Sequence, residues 1–505
     1  MGVLMKNLIT TARHRFSSAK HDSILASTQS DRARLIYSAA FRRLQQKAQV
    51  FSLESNSSVR SRLTHSIEVS HIGRYIVAMI LEKISKSCDV DDEIKEFWVE
   101  NNLSISNIVE TACLMHDIGN PPFGHFGEAA IIEWSKTKSV KDAVEKSLGK
   151  DFSQELCDNI LLDFEKFDGN PQGLRIITKL QGDDGFYGLN LTYTQLSVFL
   201  KYTFCSSDIN ENRPFSKKIG YFATEKSLIE KAWKELGMKK NSRHPLGFLM
   251  EASDDISYCI SDIEDGIEKG VITEKHFSDF TLEKLKLLNI DNVDFRIKRD
   301  ELIKSLIEEN ASPVGNFLKF KTNLSNFLVE RVADIFVKDY DLFLKQDRIE
   351  EIISKGTFEY ELLDILKDYT SSHLFTSSEA ECMELSGFAI IKGILDEYTA
   401  LIKLPKNHFL YLVLKENKSI REHKLHIERR LFNRLPGKHV KSYITAIAGL
   451  PYNDFNNDLF LEKFDAIPCD EELSLRMHLI VDFVSGMTDQ FSMDMYQLLK
   501  GIKVK

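Results

Sequence analysis

Apolar residues recur at the spacing of an α-helix along most of this 505-residue chain. Val69, Ile72, Ile76, Met79 and Ile80 form one such series, and no long stretch alternates apolar and polar residues as a half-buried strand does. Glycine and proline, which both interrupt helices, number only 24 and 10. The pattern therefore predicts an all-α fold and excludes collagen-like and broadly disordered chains.

The charge balance is acidic, with 66 basic and 75 acidic residues and a net charge of −9. This argues against a strongly basic nucleic-acid-binding protein, although a local basic patch remains compatible with it. The seven cysteines include no CxxC pair, which predicts reduced thiols in a cytoplasmic protein. No apolar run approaches about 18 residues, and the first 30 residues lack the apolar core of a signal peptide, so we expect no membrane association.

The most informative segment surrounds a His–Asp pair. An apolar helix leads to His116 and Asp117, and Gly119, Pro121 and Pro122 then end it, because proline has no backbone N–H to donate. Adjacent His and Asp side chains at a helix end can both reach one metal ion. Since such a dipeptide also occurs by chance, the turn and the other His and Asp residues are what favour a metal site.

Polar side chains before and after this segment suit an anionic ligand and a metal. Arg62 and His65 lie near the start of an upstream helix, where the helix dipole and a guanidinium group favour anions. Asp254, Tyr258 and Asp262 lie four residues apart and share one helical face. From the residues alone, that stripe is equally compatible with a solvated edge and with a functional surface.

These motifs together resemble a known superfamily. His65, the His116–Asp117 pair and Asp254 resemble the H…HD…D signature of the HD-domain phosphohydrolases. More narrowly, four segments look like those of the bacterial deoxyguanosine triphosphate triphosphohydrolases (dGTPases): residues 41–51, 62–66, 116–125 and 485–489. The resemblance implies an HD-domain helical core with additional helical regions. Composition and periodicity along the chain indicate three regions, and the resemblance identifies the second: an N-terminal arm (1–30), an HD-domain catalytic core (31–280) and a helical C-terminal region that completes the body and makes oligomer contacts (281–505).

The resemblance implies a four-residue metal site. His65, His116, Asp117 and Asp254 match the family's ligands, and Asp255 is the neighbouring alternative to the last of them. Two nitrogen and two oxygen ligands suit Mn²⁺ or Mg²⁺, with Fe²⁺ or Co²⁺ as further candidates, better than a metal that seeks thiolates.

The resemblance also implies the residues that act on the substrate. His125 and Glu128, three residues apart on one helical face, match the catalytic pair, in which Glu128 orients His125 as a general base or acid. Arg62 and Lys201 match phosphate-binding residues.

Three further positions match contacts to the sugar. Gln49 matches a glutamine that contacts the deoxyribose, Tyr258 would pack against its 2′ edge, and Asp262 would accept from the 3′-OH. Lys217 and Lys218 are weaker candidates for phosphate contacts, because a solvated surface position is the favoured interpretation there.

The function implied is metal-dependent hydrolysis of dNTPs, with dGTP as the preferred substrate. Water would attack the α-phosphorus, and the products from dGTP would be deoxyguanosine and inorganic triphosphate. One alternative is an HD phosphohydrolase with broader dNTP or phosphomonoester specificity. Another is a non-enzymatic HD protein that binds nucleotide or single-stranded DNA. The presence of all four ligands argues against the non-enzymatic alternative. The family also implies a homo-oligomer, commonly a hexamer, and in some members regulation by a dNTP or single-stranded DNA.

A basic stretch at residues 415–434 stands out in this acidic chain. The favoured interpretation is a solvated helix face. Arg421 and Lys424 are among the cations that would otherwise contact single-stranded DNA, or the phosphates of a nucleotide at a subunit contact.

Overall fold

The chain folds mainly into helices. The computed structural model describes residues 5–19, 21–54, 56–182, 188–209, 213–307, 315–452 and 456–502. Across these ranges there are 24 α-helices, and β-structure is limited to isolated bridges such as that between Cys205 and Tyr221. The prediction of an all-α fold is confirmed.

The helices of the first half, in chain order, are α1 Ile24–Ile36, α2 Ala39–Arg43, α3 Arg62–Lys86, α4 Asp92–Met115, α5 Gly124–Lys136, α6 Lys138–Leu148, α7 Gln154–Glu165, α8 Gly169–Arg175, α9 Tyr193–Phe199, α10 Lys226–Glu235 and α11 Pro245–Glu268. Those of the second half are α12 Glu274–Leu287, α13 Val293–Ile307, α14 Asn316–Lys338, α15 Tyr340–Leu344, α16 Phe358–Tyr369, α17 Ser378–Ile402, α18 Lys406–Val413, α19 Asn417–Glu422, α20 His426–Phe432, α21 Gly437–Ala448, α22 Asn457–Ala466, α23 Cys469–Ser485 and α24 Asp489–Leu499. Short 3₁₀ segments are Met5–Leu8, Leu44–Gln46, Gly149–Asp151 and Ala223–Glu225, and π-helical turns are Ile176–Leu180 and Thr370–Leu374.

Local sequence fixes where the two long helices of the site begin. Ser61 and Thr64 form a reciprocal capping box, in which each side chain accepts a hydrogen bond from the other's backbone N–H, at the start of α3. At α11, His244 caps the helix by accepting from the backbone N–H of Leu246, and Pro245 occupies the first turn, where its missing N–H costs nothing.

The buried apolar side chains form two clusters. The first joins α3, α4, α11 and α14 through residues such as Ile76, Ile108 and Leu328. The second joins α5, α6 and α7 to α17, α23 and their neighbours through residues such as Trp134 and Ile391. Helix α5 therefore packs with the C-terminal helices, whereas the HD-bearing helix α4 belongs to the other cluster.

The three sequence regions share these clusters. Met5 and Leu8 are buried in the first cluster, and Arg13 forms a 2.5 Å ion pair with Asp31, so described residues of the 1–30 region lie against the body. Residues 1–4 and residue 20 of that region lie outside the described residues. Both clusters draw residues from either side of position 280. The division into three regions stays a prediction.

Within the described ranges, no helix combines the length and the apolar character that crossing a bilayer requires.

Candidate active site

Three helices bring four of the predicted ligands together. His65 lies in the first turn of α3, His116 and Asp117 follow α4, and Asp254 lies in the middle of α11. Asp254 Oδ1 is 3.4 Å from Nε2 of both His65 and His116, and His116 Nε2 is 3.5 Å from Asp117 Oδ1. The neighbouring Asp255 lies 3.6 Å from the amine of Lys367 instead, so the geometry favours Asp254 over Asp255.

The donor set fits a divalent metal ion. Both ring nitrogens of His65 are buried without a hydrogen-bond partner, which is costly for polar atoms unless a ligand satisfies them. The Nδ1 of His116 lies 2.7 Å from the carbonyl oxygen of Cys113, and since a carbonyl can only accept, Nδ1 carries the proton and Nε2 is left to ligate. Ligating atoms of His65, His116 and Asp117 lie within 4.8 Å of one another.

Surrounding charges keep both carboxylates of the cluster ionised. The Asp117 carboxylate accepts from Arg62 Nη1 at 2.7 Å and from Asn120 Nδ2 at 2.6 Å. Burial opposes ionisation, but Arg62 and the neighbouring histidines hold the pKa of Asp117 below its ordinary value. Burial likewise opposes ionisation of Asp254, and His116 leads the groups that nevertheless lower its pKa.

The turn between Asp117 and α5 is tightly packed. A Cβ on Gly119 would lie 2.0 Å from the carbonyl oxygen of Gly169, so only glycine fits there. Phe123 and Gly124 both adopt left-handed backbone conformations, with φ of 61° and 54°. A Cβ on Gly124 would also lie 2.7 Å from the guanidinium of Arg62. The turn therefore brings α5 directly against Arg62.

His125 and Glu128 form a hydrogen-bonded pair on the first turns of α5. His125 Nδ1 lies 2.7 Å from Glu128 Oε2, and Glu128 Oε1 accepts from the backbone N–H of Gly169 at 2.7 Å. The Glu128 carboxylate is buried, whereas the His125 side chain is 81% exposed toward the cavity it lines. The hydrogen bond to Glu128 raises the pKa of His125 above its ordinary value, against a smaller effect of burial.

Several basic side chains point toward the same space. Lys201 Nζ lies 3.7 Å from Glu251 Oε1 and 4.0 Å from Asp254 Oδ2. Lys218 donates to Asp168 at 2.5 Å. Both lysines and Arg62 line the cavity, and Lys218, not Lys217, is the member of that pair that does so.

The positions predicted to contact the sugar lie on another part of the cavity. Gln49, Tyr258 and Asp262 line it, and the side-chain oxygen of Gln49 is buried without a hydrogen-bond partner. Both side-chain oxygens of Asp262 are also buried, beside the Tyr258 hydroxyl. Burial, with Asp265 adding to it, raises the pKa of Asp262 well above its ordinary value. These polar atoms are available to a ligand.

The structure thus brings the eleven predicted site residues together. Ten of them line one cavity of about 390 Å³, and His65 lies beside it against Asp254. Sequence reasoning missed the contribution of the C-terminal half, namely Lys367, Phe375 and Glu384, which line the cavity from α16, α17 and the segment between them. No local motif marks these residues, because only the packing of distant helices brings them to the cavity.

Comparison with known proteins agrees with this geometry. Residues 62–184 match the HD domain family, which covers the stretch from Arg62 to beyond Glu128. The chain is thus an HD-domain protein with a candidate metal centre.

Full-length relatives narrow the class. The chain is 33% identical over 496 residues to a probable deoxyguanosinetriphosphate triphosphohydrolase of Pseudomonas aeruginosa, covering 95% of this chain and 94% of the relative. It is 35% identical over 501 residues to the deoxyguanosinetriphosphate triphosphohydrolase of Serratia proteamaculans (94% of both chains), and 34% identical over 499 residues to that of Yersinia pestis (93% of both). The chain belongs to the deoxyguanosinetriphosphate triphosphohydrolase family.

Proposed function

We propose that this protein is a metal-dependent dNTP triphosphohydrolase that prefers dGTP and releases deoxyguanosine and inorganic triphosphate. The observation that carries the proposal is one cavity in which a His/Asp cluster, a His–Glu pair and several basic side chains face the same space. The relatives' names support the choice of dGTP as substrate.

The proposed metal ligands are His65, His116, Asp117 and Asp254. A divalent cation held there would supply Lewis-acid charge to the phosphoryl oxygens. Two imidazoles and two carboxylates support Mn²⁺ or Mg²⁺, with Fe²⁺ or Co²⁺ as alternatives. The unpartnered nitrogens of His65 are the observation that most supports a bound ion.

Phosphate binding is proposed for Arg62 and Lys201, with Lys218 beside them. A triphosphate carries up to about four negative charges, and its transfer from water into a cavity requires guanidinium and ammonium donors. Arg62 pairs with Asp117, Lys201 with Glu251 and Asp254, and Lys218 with Asp168, so substrate binding would exchange these carboxylate partners for phosphate oxygens.

Proton transfer is proposed for His125, positioned by Glu128. Because a carboxylate accepts, Nδ1 of His125 carries the proton in this hydrogen bond and Nε2 is left to accept one. A water in line with the 5′-oxygen leaving group would lose its proton to Nε2 as it attacks the α-phosphorus. In the alternative general-acid role, the imidazolium would protonate the leaving oxygen.

Sugar selection is proposed for Gln49, Tyr258 and Asp262. The Tyr258 ring would leave no room for a 2′-hydroxyl, and a side-chain oxygen of Asp262 would accept from the 3′-OH. Buried acceptors without partners favour a ligand that brings hydrogen-bond donors to them. A phosphomonoesterase has no need of these three residues at the same cavity, which is why the broader phosphohydrolase ranks second.

Product analysis tests the proposal. The protein is incubated with each of the four dNTPs and Mn²⁺ or Mg²⁺, and nucleoside, triphosphate and orthophosphate are quantified. We expect deoxyguanosine and intact triphosphate, fastest from dGTP. Orthophosphate from monoesters would favour the broader phosphohydrolase, and binding without turnover would favour the non-enzymatic alternative.

We propose that the protein forms a homo-oligomer, with the hexamer expected from the family resemblance, and that it is located in the cytoplasm.

Single-stranded DNA is a further proposed ligand, at residues 415–434. There Arg421 and Lys424 are exposed. Exposed basic side chains suit an unpaired strand, because they neutralise its phosphates. A solvated helix face is the favoured interpretation of this stretch, and DNA binding is the alternative.

A further inference from the structure

The segment 485–489 contributes to the family resemblance, but the proposed chemistry gives it no part. Asp489, the first residue of α24, is 3% exposed. Its carboxylate accepts two backbone hydrogen bonds, from Phe123 N to Oδ1 at 3.1 Å and from Ala48 N to Oδ2 at 3.0 Å. Phe123 directly precedes α5, and Ala48 directly precedes Gln49. One carboxylate from the end of the chain therefore holds two separate segments of the cavity wall.

The segment before α5 requires such support. Phe123 has a side chain yet adopts a left-handed conformation, which costs free energy and persists only where the surroundings impose it. No side chain caps α5 at this residue. The Phe123 ring also packs against Gly387 of α17, where a Cβ would lie 2.5 Å from it. Asp489 and α17 thus fix this residue from the C-terminal side.

Lys47 makes a second set of hydrogen bonds next to those of Asp489. The amine of Lys47, itself 3% exposed, donates to the carbonyl oxygen of Asn120 at 2.5 Å and to that of Ser485 at 2.9 Å. The carbonyl oxygen of Lys47 accepts from the backbone N–H of Arg62 at 2.9 Å. Residues 47–48, the turn before α5 and the junction of α23 with α24 therefore form one hydrogen-bonded unit.

We propose that Asp489 is a positioning residue for the hydrolysis: it sets the start of α5, and with it the direction of His125, while it fixes the Gln49 segment across the same hydrogen-bonded unit. The inference rests on the proposed function. Asp489→Asn leaves one acceptor oxygen for two N–H donors and turns an NH₂ group toward one of them. One contact is lost and its backbone N–H is left unpaired.

The test compares Asp489→Asn with wild type and with Asp494→Asn, a matched change on the same helix. Steady-state kinetics on dGTP with Mn²⁺, bound metal and hydrogen exchange are measured for each. We expect kcat to fall at least tenfold in Asp489→Asn, with less than a threefold change in KM and unchanged metal content. Exchange should accelerate in peptides covering residues 46–50 and 120–128 only, and Asp494→Asn should match wild type. The proposal would be overturned if Asp489→Asn kept the wild-type kcat. It would also be overturned if hydrogen exchange became faster throughout the protein and kcat fell only in proportion to the folded fraction.

Asp489→Glu is the conservative variant, because it keeps two acceptor oxygens on a longer side chain. We expect its kcat to lie between those of the Asn variant and wild type. If Asp489→Asn does not fold, wild-type kcat in Asp489→Glu together with faster exchange at residues 120–128 would overturn the positioning function. If the wild type itself releases no triphosphate from dGTP, the proposed function fails, and the exchange data still report whether Asp489 holds the turn.

Discussion

The contact between Glu128 and His125 allows a quantitative test of the proposed catalytic pair. Glu128 uses both carboxylate oxygens, one for His125 Nδ1 and one for the backbone N–H of Gly169, each at 2.7 Å. Glu128→Gln keeps the size of the side chain but leaves one acceptor oxygen for two donors. A hydrogen bond to a charged group contributes about 1.5–3 kcal/mol. At about 1.36 kcal/mol per factor of ten, kcat should fall about 10- to 160-fold.

The assay is the rate of triphosphate release from dGTP, measured with bound metal and thermal stability for each variant. Glu133→Gln is the matched control, because Glu133 lies on the same helix but is exposed. We expect the control to match wild type and Glu128→Gln to keep its metal. A Glu128→Gln enzyme with full kcat would refute the argument, and one that had lost its metal would assign Glu128 to the metal site instead.

The pH dependence of kcat provides a second, independent test of the proposed His125–Glu128 pair. The hydrogen bond to Glu128 raises the pKa of His125, so removing the carboxylate's charge lowers that pKa. As a general base, His125 must be neutral and governs the acid limb of the kcat profile; as a general acid, it must be protonated and governs the basic limb. In either case that limb moves to lower pH in Glu128→Gln. A shift to higher pH contradicts the assignment.

Three further predictions concern the metal, the sugar and DNA. His116→Ala should remove most bound metal and nearly all turnover, because it deletes a proposed ligand; metal analysis showing wild-type stoichiometry with full turnover would contradict this. Tyr258→Ala should narrow the ratio of dGTP to GTP turnover by admitting a 2′-hydroxyl, and an unchanged ratio would place the discrimination elsewhere. Replacing Arg421 and Lys424 with Gln should lower single-stranded DNA affinity and its salt dependence while leaving turnover without DNA unchanged. An unchanged affinity for single-stranded DNA would favour the interpretation of residues 415–434 as a solvated helix face.

Helical periodicity predicted the fold class well, because a repeating apolar face reports burial directly. Ile76 and Ile80 of α3, both in the predicted helical series, are fully buried. Periodicity does not say which helix a face meets. The assignment of α5 to the second cluster, through Trp134 and Ile131, depends on the approach of α17 from more than 200 residues away in sequence. That pairing is a tertiary property, and no local pattern encodes it.

At the candidate site, too, the sequence predicts some side chains and not others. The motifs of His65, His116 and Asp254 predicted that these residues lie together, as the structure shows, and their role as metal ligands stays a prediction. The sequence showed Asp489 only as part of a motif. Its structural role could not be predicted, because its two hydrogen bonds join segments that are remote in sequence. Lys367 carried no signal at all, because a lysine on an amphipathic helix is ordinarily solvated. Residue chemistry indicates candidate ligands, whereas the positions that hold or complete the cavity emerge only from packing.

The Arg62–Asp117 ion pair would couple the two proposed ligands, the metal and the triphosphate. Arg62 Nη1 lies 2.7 Å from Asp117 Oδ2, so the guanidinium proposed to bind phosphate contacts a carboxylate proposed to bind metal. A metal ion on Asp117 would neutralise that carboxylate and weaken its hold on Arg62. A phosphate on Arg62 would in turn leave Asp117 to the metal. Because coupling between two binding equilibria is reciprocal, each ligand should strengthen the binding of the other. The buried pair would thus join the proposed metal site to the proposed phosphate site, and a triphosphate without metal would compete with Asp117 for the same guanidinium.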